Sequence, residues 1–503
     1  MIEKLKNKYF ISFLLGSLCV LAFAPFDLFI AAIISFSYFY LILEKSTNNK
    51  QSFYLGFCYG YGYFLCGIYW IAISLLVDAQ KFAWLIPFAL TLIPGALALY
   101  VAFFALFYKK ISRKLKFSYE KILAFALIWL FFEFLRSNLL TGFPWNLIGY
   151  SLLFSNYTAQ SASLLGIYGL SFLAILFCLI PIAFFNKQKS SQIFFIILTT
   201  IFIANFSFGY FRIKNTELQT SQHSIRLVQA NIEQNLKWDL NEKYGNLLKH
   251  IDMSNLVDKT RLSAIIWSET SIPYVINNSK ELMDELTNAI PPNGVLISGG
   301  LRFEDEQYFN SVFAIDKNND IKYYDKHHLV PFGEYVPLQK FLPFVEKITG
   351  GSSGFGEGEG AKTLQGQGFS FSALVCYEAI FSDKIIDRKN RPDLLINVTN
   401  DSWFGKSLGP YQHFNMTRMR TIEYGISLAR VANSGITAYI DPLGRVIKKI
   451  SLNEEGFFDV ELIKKIPETI FSQFKYFVLL LLLAAPLLLL ILRIKHHKNE
   501  IFS

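Results

Sequence analysis

Phe369-Ser-Phe-Ser-Ala-Leu-Val-Cys376-Tyr377-Glu378 is the stretch on which the reading of this chain turns. Its apolar residues first alternate and then run together, as in a buried strand, and polar groups take over at its end. Cys376 is the only thiol in the one long hydrophilic stretch; Cys19, Cys58, Cys66 and Cys178 all fall inside apolar runs. A domain holding one cysteine cannot form an internal disulfide. A lone thiol beside Tyr377 and Glu378 on a strand-to-helix turn is either a candidate nucleophile or a buried structural cysteine, and position alone leaves both open.

Outward from that stretch the chain turns apolar. It has 503 residues, too many for one ordinary core, with 52% hydrophobic residues and 50 Phe, which points to lipid-facing helices. Eight apolar runs follow one another, near 9–24, 28–43, 53–77, 82–108, 121–140, 163–185, 193–211 and 474–492. Most approach or exceed the ~20 residues that cross ~30 Å of hydrocarbon, so eight spans are expected. Basic residues cluster before the first run, in every second connection and after the last, from Lys4 to Lys498. The alternate short connections (25–27, 78–81 and 141–162) contain only Lys81. By the positive-inside rule both termini are cytoplasmic and residues 212–473 lie outside. The internal segments carry a balance of +12 against a chain total of +9, leaving about −3 elsewhere. The high pI therefore reports topology, and no case for nucleic-acid binding arises. Ala22-Phe23-Ala24 after a basic, apolar start resembles a signal-peptide cleavage site, but Pro25 directly follows and an uncleaved first helix is expected.

The expected domains are a transmembrane region over 1–211, an external domain over 212–472, and a final helix with a basic tail over 473–503. Within the external domain, strands are predicted at 224–232, 263–269, 294–303, 308–316, 321–326, 369–376, 393–399, 436–441, 445–450 and 456–462. Helices are predicted near 239–260, 279–290 and 411–431. This alternation implies a layered α/β domain. The Gly-rich run 350–362 reads as a flexible loop; no Lys-Ser/Thr pair and helix start follow it, so it is no phosphate cradle. No metal-ligand spacing or cofactor motif is found, and His327-His328 and His496-His497 are adjacent pairs whose geometry points them apart.

Three polar residues stand at or just beyond apolar strands: Glu269, Lys326 and Cys376. Strand ends at one sheet edge are where α/β folds gather reacting groups. Glu269 could take the thiol proton if burial raises its pKa. The Lys326 ammonium could stabilise the oxyanion of a tetrahedral intermediate, with a backbone N–H as second donor. Taken singly, such residues are usually solvated, and spacing alone makes a weak triad.

The order Glu269, Lys326, Cys376 with its Cys-Tyr-Glu run resembles the nitrilase (carbon–nitrogen hydrolase) superfamily. Eight spans with the domain between the seventh and eighth resemble its membrane branch, the apolipoprotein N-acyltransferases. The motifs carrying this resemblance run nearly end to end. They are Thr141-Gly-Phe-Pro-Trp145-Asn-Leu-Ile-Gly-Tyr150, Val228-Gln-Ala-Asn-Ile-Glu-Gln-Asn-Leu-Lys-Trp238 and Tyr324-Asp-Lys326-His-His-Leu-Val-Pro-Phe-Gly-Glu334-Tyr-Val-Pro337. Thr399-Asn-Asp-Ser-Trp-Phe-Gly405, Gly409-Pro-Tyr-Gln-His413 and Arg430-Val-Ala-Asn433-Ser-Gly435 complete the set, with Ser402 and Ser434 at positions that vary.

The resemblance implies a nitrilase-like α-β-β-α sandwich on an eight-helix transmembrane domain, and a two-step acyl transfer without cofactor or metal. Cys376 would take an acyl chain from a membrane phospholipid, at sn-1 of phosphatidylethanolamine, as a thioester. The α-amine of a diacylated apolipoprotein's S-diacylglyceryl cysteine would accept it. Glu269 would be the base and Lys326 the oxyanion stabiliser. Glu334 and Glu378 would hold Lys326 charged and order the pocket, and Tyr377 would shape it. Trp145 and Trp238 are expected to line the lipid entrance, or else to be ordinary interfacial aromatics, and the 350–362 loop could act as a lid. The rivals are a membrane-tethered amidase for a small soluble amide and a transporter with a non-catalytic outer domain. The latter would need ionisable groups within the bilayer, where Glu133 and Arg136 are the clear pair, expected to bind each other.

Overall fold

The computed structural model describes residues 2–276, 279–337 and 354–502, with side chains from 7 to 495. It divides into two compact units: Met1–Ala72 with Trp84–Thr216 and Thr469–Ser503, and Ile73–Ala83 with Glu217–Glu468.

In the first unit each of the eight apolar runs contains a helix: Ile2–Cys19, Phe29–Glu44, Asn49–Ile68, Ile86–Ser112, Ser118–Asn138, Ala162–Cys178, Lys189–Asn215 and Phe477–Phe502. Among the described residues, four segments are long and apolar enough to cross a membrane: Ala79–Ser112, Ala162–Phe185, Lys189–Asn215 and Phe477–Lys495. Two shorter apolar helices, Asn7–Ala22 and Phe29–Glu44, fall below that length. Glu133 and Arg136 are both buried and turn to loop backbone rather than to each other. Glu133 Oε1 accepts from the Ile148 N–H (2.8 Å), while Arg136 donates to the carbonyls of Phe143 (2.5 Å) and Trp145 (2.8 Å). A buried loop needs partners for its backbone groups, and this pair supplies them.

Among the described residues, thirteen strands build two sheets in the second unit. They are β1 (Thr220–Gln229), β2 (Leu262–Ile266), β3 (Ile272–Val275), β4 (Val295–Glu304), β5 (Gln307–Asp316), β6 (Ile321–Asp325) and β7 (Thr363–Gln365). Then come β8 (Ser370–Val375), β9 (Leu394–Thr399), β10 (Ser427–Ala432), β11 (Thr437–Ile440), β12 (Val446–Ile450) and β13 (Gly456–Ile463). One sheet runs β13-β1-β2-β4-β5-β6 with β3 on β4; the other runs β12-β11-β10-β9-β8-β7. Each has three adjacent parallel strands, β1-β2-β4 and β8-β9-β10, flanked by antiparallel ones.

Period-two alternation decides which side chains meet. Ile225, Leu227, Ala264 and Ile266 pack against Phe371, Ala373, Ile396 and Val431 in the core between the sheets. The intervening Val228 and Ile265 face the other way, onto Leu247 and Ile251 of helix Lys243–Asn255 and Met283 and Leu286 of helix Lys280–Thr287. On the far sheet, Asn397 and Arg430 alternate with the same core residues and turn to helix Gly409–Tyr424, where Arg430 reaches Thr417. The layers are helix, sheet, sheet, helix.

The short strands β3 and β7 fall where no strand is predicted, and one helix boundary differs by several residues. The helix predicted over 411–431 ends at Tyr424, and Ser427–Ala432 is the strand β10, paired in parallel with β9. Gly425 at φ +64 accounts for the stop, since a left-handed residue closes a helix and glycine takes that conformation without strain.

Candidate active site

Glu269, Lys326 and Cys376 each follow the end of a strand: β2, β6 and β8 respectively. All three are buried, with exposures of 7, 1 and 7%. The Lys326 ammonium donates to both oxygens of Glu334, at 2.9 and 2.8 Å. Asn310, on β5, joins this pair to Glu269, its Nδ2 donating to Glu269 Oε1 (2.9 Å) and Glu334 Oε1 (3.0 Å). Glu269 Oε2 has no hydrogen-bond partner among the described residues. A buried carboxylate oxygen left open is costly in a static fold and suited to receiving a proton.

The charges follow from burial. Burial pushes the Glu269 carboxyl above its ordinary value, with Glu334 adding to the effect and Lys326 opposing it. The Cys376 thiol is pushed up to about 12, chiefly by burial and then by Glu269, while Lys326 and a hydrogen bond from Thr399 work against this. Burial alone would lower the Lys326 ammonium, but Glu334, Glu269 and Cys376 together hold it above the ordinary lysine range. The site thus combines a thiol, a fixed ammonium and a carboxyl whose affinity for a proton is raised.

Cys376 itself adopts φ +51, an uncommon conformation for a residue with a side chain, at a sharp elbow between β8 and the turn Cys376–Ile380. Glu378 stabilises that elbow. Its Oε2 accepts from the Val375 N–H (2.7 Å), and Oε1 accepts from the Tyr324 hydroxyl and the N–H groups of His327 and His328, at 2.8, 2.8 and 3.1 Å. Glu378 thus ties the lysine segment to the cysteine elbow through backbone, whereas Glu334 makes the direct contact with Lys326. Tyr377 packs edge-on to Phe381 at 5.1 Å.

The described part of the Gly-rich run clamps this machinery. Phe355 donates to the Glu334 carbonyl (3.0 Å), Gly356 to Tyr308 (2.8 Å) and Gly358 to the carbonyl of Lys326 (2.9 Å). A Cβ on Gly358 would sit 2.1 Å from the Asp325 carbonyl oxygen, which is why glycine is needed there. Residues 350–353 of the lid expectation lie outside the described residues.

Trp145 is 1% exposed, stacked on Phe143 and packed against Trp70 at 4.5 Å, inside the helical unit. Trp238 is 39% exposed, with Lys243 over its ring. Sequence reasoning passed over Asn310, which carries no motif signal, and Lys237, which lies within a quoted motif. The buried Lys237 ammonium donates to the Glu269 carbonyl at 2.7 Å, and burial lowers its pKa to about 8 despite Glu269 and Cys376. It holds the backbone of Glu269 in place.

Residues 15–180 match the model of the apolipoprotein N-acyltransferase N-terminal domain, and residues 224–467 match that of carbon–nitrogen hydrolases. Among similar proteins are apolipoprotein N-acyltransferases of Rickettsia typhi and Rickettsia prowazekii, each 39% identical over 93% of this chain and 95% of their own. That of Rickettsia bellii is 40% identical over 93% of this chain and 94% of its own. The chain belongs to the apolipoprotein N-acyltransferase family.

Proposed function

We propose that this protein transfers a fatty acyl chain from a membrane phospholipid, through a thioester on Cys376, to the α-amine of the diacylated cysteine of an apolipoprotein. The open oxygen of the buried Glu269, in the same charged cluster as Cys376 and Lys326, is the observation that carries this reading. Glu269 takes the thiol proton as sulfur attacks the ester carbonyl, and the Lys326 ammonium stabilises the oxyanion together with a backbone N–H. Collapse breaks the ester C–O bond, and the proton on Glu269 passes to the departing lysophospholipid hydroxyl. The acceptor amine then attacks the thioester and gives its proton to Glu269. Cys376 leaves as thiolate and recovers a proton.

Both substrates are held in the bilayer by acyl chains, each buried methylene contributing ~0.8 kcal/mol, so the reaction belongs at a membrane. The proposed setting is a bacterial inner membrane crossed eight times, with 212–472 periplasmic and both termini cytoplasmic, as the basic segments imply. The exposed ring of Trp238 is the proposed contact for an acyl chain.

Incubation with phosphatidylethanolamine labelled on its sn-1 chain should give a hydroxylamine-labile label that Cys376→Ser lacks. The label should move to a diacylglyceryl-cysteine peptide. Discharge to water alone would point to a lipid hydrolase, and no label in a folded protein would favour the small-amide amidase.

A further inference from the structure

Three of the motifs, those containing Asp401, His413 and Arg430, lie outside the Glu-Lys-Cys chemistry, yet they meet in one buried network. Asp401 is 1% exposed, and Asn397, His413 and Arg430 are fully buried. Arg430 donates to Asp401 Oδ2 (2.7 Å) and Thr417 (3.2 Å) and also to Asn397. Asp401 Oδ1 lies 2.9 Å from His413 Nδ1 and accepts from Thr399 (3.2 Å). The far side of the ring, His413 Nε2, lies 3.2 Å from the carbonyl oxygen of Cys376, and Asn397 Nδ2 donates to that oxygen (3.4 Å) and to the Leu374 carbonyl (3.1 Å). The Cys376 carbonyl and the Asp401 carboxylate both only accept, so the two contacts together call for a proton on each ring nitrogen, which Asp401 favours and burial and Arg430 oppose.

Burying so many polar and charged groups is expensive, and apolar residues would join a helix to a sheet as well. What this network does that apolar packing cannot is grip one oxygen. That oxygen belongs to the Cys376–Tyr377 peptide, next to a residue in the left-handed region. A trans peptide is planar, so fixing its C=O fixes the direction of the N–H on the opposite side. Hydrogen bonds to the carbonyl also polarise the peptide and strengthen that N–H as a donor.

We propose that His413 is a positioning residue of the acyl-transfer site: oriented by Asp401 and Arg430, it pins the Cys376 carbonyl and thereby aims the Tyr377 N–H as the second oxyanion donor beside Lys326. This rests on reading Cys376 as the acylated nucleophile, but not on which ester is the natural donor.

The test compares two reactions of Cys376 in the full-length protein in phospholipid vesicles. Acylation by a p-nitrophenyl ester passes through a tetrahedral oxyanion; alkylation by iodoacetamide does not. His413→Gln keeps an amide N–H near the position of Nε2, whereas His413→Asn places it near Nδ1. Losing an oriented oxyanion donor costs on the order of 10²-fold, so His413→Asn should lose about that much acylation rate while alkylation changes little. His413→Gln should recover most of the lost rate. Equal acylation by the two variants would overturn the inference, as would acylation and alkylation falling in parallel, which is what general damage to the fold produces. Failure of the phospholipid-thioester experiment with normal ester acylation would count against the proposed donor instead.

Discussion

Cys376 rests as a thiol because burial and Glu269 hold its pKa at about 12, so in the proposed mechanism the thiolate forms only as its proton moves to Glu269. Glu269 must be ionised to receive it, and its pKa lies above the ordinary carboxylate value. Acylation should therefore fall as pH drops through that raised pKa, and Glu269→Gln should lose about 10²–10⁴-fold in rate. The check is a pH profile of thioester formation at fixed lipid concentration; an acid limb identical in Glu269→Gln would remove Glu269 as the base. Asn310 sharpens the same experiment. Its amide donates to Glu269 and keeps that pKa from rising further. Asn310→Leu should shift the acid limb to higher pH, a change that simple loss of folded protein would not produce.

Among the elements, β8 with its elbow was legible in the sequence, because an apolar run ending in Cys-Tyr-Glu has few other readings. Strand β10 was not legible. Ser427–Ala432 follows a helix with only Gly425 and Ile426 between them, and a buried apolar run looks the same in either state. Pairing with β9 decided the matter. The Gly-rich run shows the converse error of composition. Its glycines suggest flexibility, yet Phe355, Gly356 and Gly358 donate to Glu334, Tyr308 and Lys326, and at Gly356 and Gly358 an added Cβ would collide with Phe309 and Asp325. Gly358→Ala should therefore displace the backbone of Lys326 and cost about 1–3 kcal/mol of stability, the range for overpacking a tight site. Turnover should fall with it; unchanged thermal unfolding and turnover would show that the clamp is dispensable.

At the scale of the molecule, two predictions separate topology from fold. Leu240 is 83% exposed in the nitrilase-like unit. If that unit is periplasmic, Leu240→Cys should react with a membrane-impermeant maleimide in intact spheroplasts, while a cysteine at Arg493 should react only after permeabilisation. The reverse pattern would invert the proposed orientation. Acid stability reports the buried network. Burial would raise the Asp401 carboxyl, but Arg430 and His413 hold it near 2, below its ordinary 3.8. A depressed folded pKa stabilises above the unfolded value and ceases to as pH falls through the folded one, here between about pH 4 and 2. The contribution is about 2 kcal/mol, and Asp401→Asn should flatten the loss of thermal stability across that window.

The eight apolar runs, the layered α/β domain and the order Glu269, Lys326, Cys376 were all determined by sequence alone, since hydropathy length, period-two alternation and residue type are local properties. Tertiary structure decided which groups serve them. Asn310, Lys237 and His413 lie 41, 32 and 37 positions from the residues they hold, and no local pattern announces such partners. It also separated the two carboxylates that looked alike in sequence, placing Glu334 on the Lys326 ammonium and Glu378 on the elbow's backbone. The physical reason is that a buried polar group is defined by what satisfies it, and that partner comes from wherever the fold brings the chain back.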